Sequence, residues 1–104
     1  MSAADRGFAI PSDHPALAGH FPGRPVVPGV IALAEALALV RPPGGGRATR
    51  LRQVKFLAPL LPGQAVQIRA EATAPLSVSF RCFAGEVLVM SGVADFSSAE
   101  AAAP

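Results

Sequence analysis

The sequence predicts an α+β fold in which an antiparallel sheet wraps one buried helix, and three observations predict it. The run from Val30 to Val40 is dense in Ala and Leu, strong helix formers, and Glu35 is its one charge. From Arg50 onward the pattern changes to strand-like segments parted by turn residues. The apolar residues of the helix surround its axis almost completely, and a helix of that kind is expected to be buried on all sides. A sheet that covers several helix faces has to wrap them.

The elements follow in order. A short opening strand is expected around Gly7 to Ile10, then a Pro- and Gly-punctuated segment from Pro11 to Gly29 with one helical turn after Asp13 or His14. Pro28-Gly29 opens the helix and Arg41-Pro42-Pro43 closes it. After the Pro42 to Gly46 turn, four strands are expected: Arg50 to Phe56, Ala65 to Thr73, Leu76 to Phe83 and Glu86 to Phe96. In the second, Val66, Ile68 and Ala70 alternate with Gln67, Arg69 and Glu71. Leu60-Leu61-Pro62-Gly63, Pro75 and Gly85 mark the turns, and the small, polar stretch from Ser97 to Pro104 is expected to fray. One domain over residues 1–104 accounts for this length, with no internal repeat.

Composition narrows the class. With 51% hydrophobic and 15% charged residues the chain is neither disordered nor highly solvated, and it carries more apolar surface than a small monomer easily hides. Self-association is therefore expected. No apolar run approaches the roughly 20 residues that span a bilayer, and Met1 to Gly7 lacks the apolar core of a signal peptide, so a cytoplasmic location is the expectation. The lone Cys82 has no Cys or His neighbours at metal-ligand spacing and reads as a small core residue in a strand; neither metal nor cofactor is expected. The net charge of +2 is uneven: Arg41, Arg47, Arg50, Arg52 and Lys55 cluster, with no acid from Ala36 to Ala70. Such a patch suits an acidic protein or a phosphate group, or is a solvated face. Nucleic acid is not an expected partner, since the chain has no Trp, no Tyr and no reading motif.

The most specific signal runs from Gly19 to Gly29, Gly-His-Phe-Pro-Gly-Arg-Pro-Val-Val-Pro-Gly, straight into the helix. A second block comprises Val54-Lys55-Phe56, Pro59 and Leu61-Pro62-Gly63. In these two blocks the chain resembles the 3-hydroxyacyl-acyl-carrier-protein dehydratases, enzymes of the hot-dog fold, and closely resembles their small dehydratase-like branch. The resemblance implies reversible removal of water from a (3R)-3-hydroxyacyl thioester to give a trans-2-enoyl thioester. It implies His20 as the catalytic histidine and Gly29 and Val30 as the helix start that grips the thioester oxygen; Phe21 reads either as a core residue or as a substrate-binding residue lining the acyl tunnel. Prolines 22, 25 and 28 stiffen the loop that holds His20.

At one position the chain departs from the family. The family's catalytic carboxylate stands fourteen residues after the histidine, where this chain has Ala34, and Glu35 follows. One helical step turns a side chain by roughly 100°. Either Glu35 supplies a displaced acid or the acid is absent, and in the second case the chain is a weakly active or non-catalytic acyl-binding subunit. Glu35 also reads as a charge at a dimer seam paired with an arginine. Thioester hydrolysis, a third reading on the same fold class, needs a carboxylate to activate water. The resemblance further implies a substrate carried on acyl carrier protein or coenzyme A, a homodimer or higher oligomer of dimers, and Arg50, Arg52 and Lys55 as a docking patch for the acidic carrier. Asp13 and His14 read as turn or capping residues rather than parts of a triad, and Phe80 as core.

Overall fold

The computed structural model describes residues 6–17 and 26–99. Within them β1 (Arg6–Phe8) is followed by a single 3-10 turn (Pro15–Leu17), α1 (Gly29–Val40), β2 (Gly45–Phe56), β3 (Val66–Ala74), β4 (Ser77–Ala84) and β5 (Val87–Ser98). The strands form one antiparallel sheet in the order β1-β3-β4-β5-β2. The α+β reading therefore stands, and the helix begins one residue earlier than expected.

Turn chemistry sets the connections. In Pro42-Pro43-Gly44-Gly45 the Gly45 amide donates to the Pro42 carbonyl at 2.9 Å while Gly44 takes φ 77°. Leu61-Pro62-Gly63-Gln64 repeats this form, with Gly63 at φ 81° and Gln64 donating to Leu61 at 3.1 Å. Both place Pro second and Gly third, as a type II turn requires. Gly85, at φ 62°, takes the first central position of the two-residue β4–β5 hairpin.

The core lies between α1 and the inner face of the sheet. Ala32, Ala36 and Val40, spaced by four and so on one stripe, are buried with Ile68, Val78, Phe80, Cys82, Met90, Ala94 and Phe96. Phe80 and Cys82 are core residues in a strand, as expected from the sequence. Gly92 makes room for this packing, because a Cβ there would lie 2.9 Å from the Phe80 ring.

Three expectations are corrected. The helix is not buried on all sides within one chain: Val30 is 71% exposed, and Ala34, Glu35 and Ala38 are exposed too. One five-stranded sheet covers one stripe, and alanines tolerate the opposite side. Ser97 and Ser98 do not fray but close β5 against Gly45 at the start of β2. Finally, β2 begins at Gly45 rather than Arg50. Its twelve residues run against the stretch from Met90 to Ser98 with three register shifts, and each shift adds one residue to β2. Bulges bend a strand and break its alternation, which hid the first half of β2 from pattern reading.

At the third bulge, between Arg52 and Lys55, Gln53 adopts φ 55°. A side chain in this left-handed region costs about 1–2 kcal/mol, and glycine avoids the clash. Gln53→Gly is therefore expected to leave the urea midpoint unchanged or raise it, and the β-branched Gln53→Val to lower stability by about 1 kcal/mol or more. Equal losses in both variants would show that the backbone conformation at residue 53 is not what matters there.

Candidate functional site

The site is built around the start of α1. Ahead of it, the Val27 amide donates to the Leu60 carbonyl at 2.8 Å, tying the segment before the helix to the β2–β3 connection. Pro28 caps the helix without a side-chain hydrogen bond, and its carbonyl accepts from Ile31 at 3.0 Å and from Ala32 at 3.4 Å. The amides of Gly29 and Val30 meet no acceptor among the described residues. Both N–H groups stand at the positive end of the helix dipole, where a polarised oxygen is favoured.

Gly29 and Val30 line an apolar cavity of about 490 Å³, whose walls also include Phe56, Leu60, Cys82 and Met90. That volume lies within the range of small-ligand sites, and among the described residues no charged side chain lines it. The Phe56 ring lies against Gly29 so closely that a Cβ there would come within 2.7 Å of Cε1. Gly29 is therefore needed for this close approach. Phe56 itself is 53% exposed and stands at the rim. Burial pushes the Cys82 thiol up to about 12, so at neutral pH it is an uncharged part of the wall.

The remaining expected residues are placed differently. Gly29 and Val30 line the cavity together, whereas His20 and Phe21 lie outside the described residues. Glu35 is exposed on the flank of α1, does not line the cavity and makes no ion pair with a described residue. Ala34 lies on the uncovered helix face beside Leu37, Arg41, Arg47 and Phe96. Asp13 and His14 belong to the turn ahead of Pro15–Leu17, where the His14 carbonyl accepts from Leu17 at 2.9 Å. Among the described residues no group of His, Cys, Asp and Glu could hold a metal ion, and no helix is long and apolar enough to cross a membrane.

Arg50, Arg52 and Lys55 are exposed on β2, an edge strand. Arg52 reaches the Asp95 carboxylate at 2.7 Å, and Ser77 donates to the same oxygen at 2.5 Å. These two bonds, the serine's first and the arginine's second, hold the Asp95 carboxyl below its ordinary range. Lys55 faces Ser91, and Ser91 faces Arg81 on β4, so a second cation missed by the sequence reading joins Lys55 on one face of the sheet. Its alternation with buried Phe80 and Cys82 was the signal that could have revealed it. Phe56, Leu57 and Met90 were also missed as cavity residues, since only the register brings them to the helix start.

The ApeI-like family model, described as ApeI dehydratase, matches residues 2–93. A 3-hydroxyacyl-[acyl-carrier-protein] dehydratase FabZ of Thermus thermophilus is 37% identical over 103 residues, covering 86% of this chain and 69% of the relative. The FabZ of an Anaeromyxobacter species is 34% identical over 76 residues, 61% of this chain and 48% of its own length. Among solved structures, a chain of the dehydratase heterocomplex ApeI:P from Xenorhabdus doucetiae superposes with a TM-score of 0.73 at 18% identity, covering 92% of this chain and 96% of that one. The fluoroacetyl-CoA thioesterase FlK gives 0.56 at 19% identity over 94% of this chain and 87% of its own. At such identities the likeness concerns fold, and the fold is the hot dog.

The contact between Gly29 and Phe56 yields a test. Because the ring is half exposed and can swing away, Gly29→Ala is expected to cost only about 1 kcal/mol in urea unfolding. The swing closes the rim, so affinity for an acyl thioester, measured by calorimetry, should fall about tenfold or more. Gly29→Ala combined with Phe56→Ala should regain most of that affinity; no recovery would mean that the ring is not the obstacle.

Proposed function

We propose that this chain, which belongs to the ApeI-like dehydratase family, removes water across C2 and C3 of a (3R)-3-hydroxyacyl thioester to leave the trans-2-enoyl thioester. The observation that carries this reading is the helix start: two amides without acceptors among the described residues, at an apolar cavity. Loss of the C2 proton puts negative charge on the thioester oxygen, and amides held by a helix stabilise that charge without reorganising. The His20 imidazole takes the C2 proton. The C3 hydroxyl leaves as water once a second group protonates it, and Glu35 is the carboxyl assigned to that role.

Since Glu35 lies away from the cavity of its own chain, this assignment requires a second chain. The uncovered stripe of α1 favours one, because Val30, Ala34 and Ala38 are exposed there beside half-buried Leu37. We assign a homodimer, or a higher oligomer of dimers, with that stripe covered and the carboxylate of one chain serving the histidine of the other. The similar Xenorhabdus chain belongs to a heterocomplex, and assembly between chains is consistent with that. A second reading, an acyl-binding subunit of little activity, is favoured by Ala34 at the position of the family's acid.

The FabZ relatives are named for substrates on acyl carrier protein, and a carrier-bound substrate, or its coenzyme A counterpart, is proposed here. Arg50 and Lys55 are the docking cations; Arg52 contributes less, because its charge is engaged by Asp95.

Hydration of a trans-2-enoyl thioester tests the reaction. His20→Ala is expected to lose roughly a hundred- to ten-thousand-fold in kcat/KM, and Glu35→Ala a comparable factor if it is the acid. Activity unchanged in His20→Ala would refute the dehydratase reading, whereas wild-type binding without hydration would favour the subunit reading. For docking, Arg50→Glu with Lys55→Glu should weaken carrier binding roughly tenfold at low salt, the difference shrinking as salt rises. Equal affinity at every ionic strength would rule out this surface.

A further inference from the structure

The cavity crosses the whole sheet. Each of the five strands gives it a wall residue: Phe56 on β2, Met90 on β5, Cys82 on β4, Val66 on β3 and Phe8 on β1. The sheet order is β1-β3-β4-β5-β2, so Phe8 and Phe56 stand on opposite edge strands. The path between them is not straight. Phe56 pairs with Met90, Met90 with Cys82, and Cys82 with Ile68, but Ile68 does not line the cavity. Val66, two residues earlier on the same face of β3, does line it, and its direct partner is Phe8. The cavity therefore turns aside at β3 and reaches β1. At about 4.8 Å per strand, the four steps along the sheet make about 19 Å.

We propose that Phe8 closes the far end of the cavity and is its specificity-determining residue, setting the longest acyl tail that is covered in full. The identity of the tail rests on the dehydratase reading. Gly29 and Val30 put the reacting carbonyl at the Phe56 end, because the Phe56 ring lies against Gly29. A tail attached there extends past Met90, Cys82 and Val66, all buried, and its methyl end meets the Phe8 ring. Among the described residues no strand lies beyond β1. The ring is half-buried and packs against the core, so its size governs how much of the tail end is covered. Although β1 has only three residues, its backbone is well held. A Cβ at Gly7 would come within 2.8 Å of the Val66 carbonyl oxygen, so glycine lets β1 approach β3 closely. Just after the strand, the Ile10 carbonyl accepts from the Gly63 amide at 2.7 Å. Phe8 thus stands on a fixed edge strand with one neighbour, where its replacement disturbs a single pairing partner.

The test is the affinity of saturated acyl-pantetheine thioesters, four to sixteen carbons long, for the protein in its native assembly, measured by calorimetry. Affinity should rise roughly fourfold per methylene while each is buried, then level off once the tail reaches Phe8. Phe8→Ala should move the plateau to longer tails and Phe8→Trp to shorter ones, and both should bind the four-carbon thioester as the wild type does. Val66→Phe, which narrows the path one strand earlier, should shorten the plateau further. Because Val66 is buried and that variant can unfold, the two replacements of half-buried Phe8 carry the decision. A Phe8→Trp profile that matches the wild type at every length would overturn the proposal, as would a loss of affinity equal for short and long tails. Hydration of enoyl thioesters, assayed in parallel, separates the two claims. A plateau that follows residue 8 without turnover removes the dehydratase reading and keeps the far end, and turnover with a plateau indifferent to residue 8 does the reverse.

Discussion

The seat of α1 on the sheet is the contact on which the rest of the structure depends. Ala32, Ala36 and Val40 are short enough to bring the helix close to Phe80, Cys82 and Ala94, and that closeness fixes where the helix begins. Its first residues, Gly29 and Val30, then line one cavity with Phe56, Met90 and Cys82. At a solvated surface a helix terminus is worth about 0.3–1 kcal/mol to an anion. In an apolar, water-poor cavity the same dipole acts through a lower dielectric and counts for more. Helix position and cavity polarity therefore act together.

The sheet separates two tasks by its faces. The inner face holds the core and the apolar cavity, while the outer carries Arg52 with Asp95 and Ser77, and Lys55 with Ser91 and Arg81. Because Lys55 and Phe56 are successive residues of one strand, a surface charge and the aromatic rim of the cavity stand one residue apart. The three bulges of β2 shape this edge, and Gln53 holds its left-handed backbone at the last of them. Strain beside a proposed site fits its role in aiming the two neighbouring side chains.

Much of this was legible in the sequence because local chemistry and tertiary need agreed. Pro28-Gly29 opens the helix, Arg41 ends it, and Pro62-Gly63 and Gly85 turn the chain where their conformational preferences say they must. A motif pointed to Gly29 and Val30, which line the cavity. The rest depended on register, which alternation alone does not give. The inward row of Phe56, Met90 and Cys82 joins three strands distant in sequence, and Arg81 becomes a partner of Lys55 only across β5. Gly45 to Thr49 hid as a loop because bulges disrupt the period of two. The exposed stripe of α1 was misjudged for another reason: an all-apolar helix shows that each side can be covered, without saying which chain covers it.

The central claim is that the amides of Gly29 and Val30 polarise the thioester carbonyl, and its infrared stretch reports this most directly. For a carbonyl-labelled enoyl thioester bound to the protein, the account predicts a shift to lower frequency than in water, retained in His20→Ala because the amides remain. A bound carbonyl that absorbs at the frequency of the free thioester in water would contradict it.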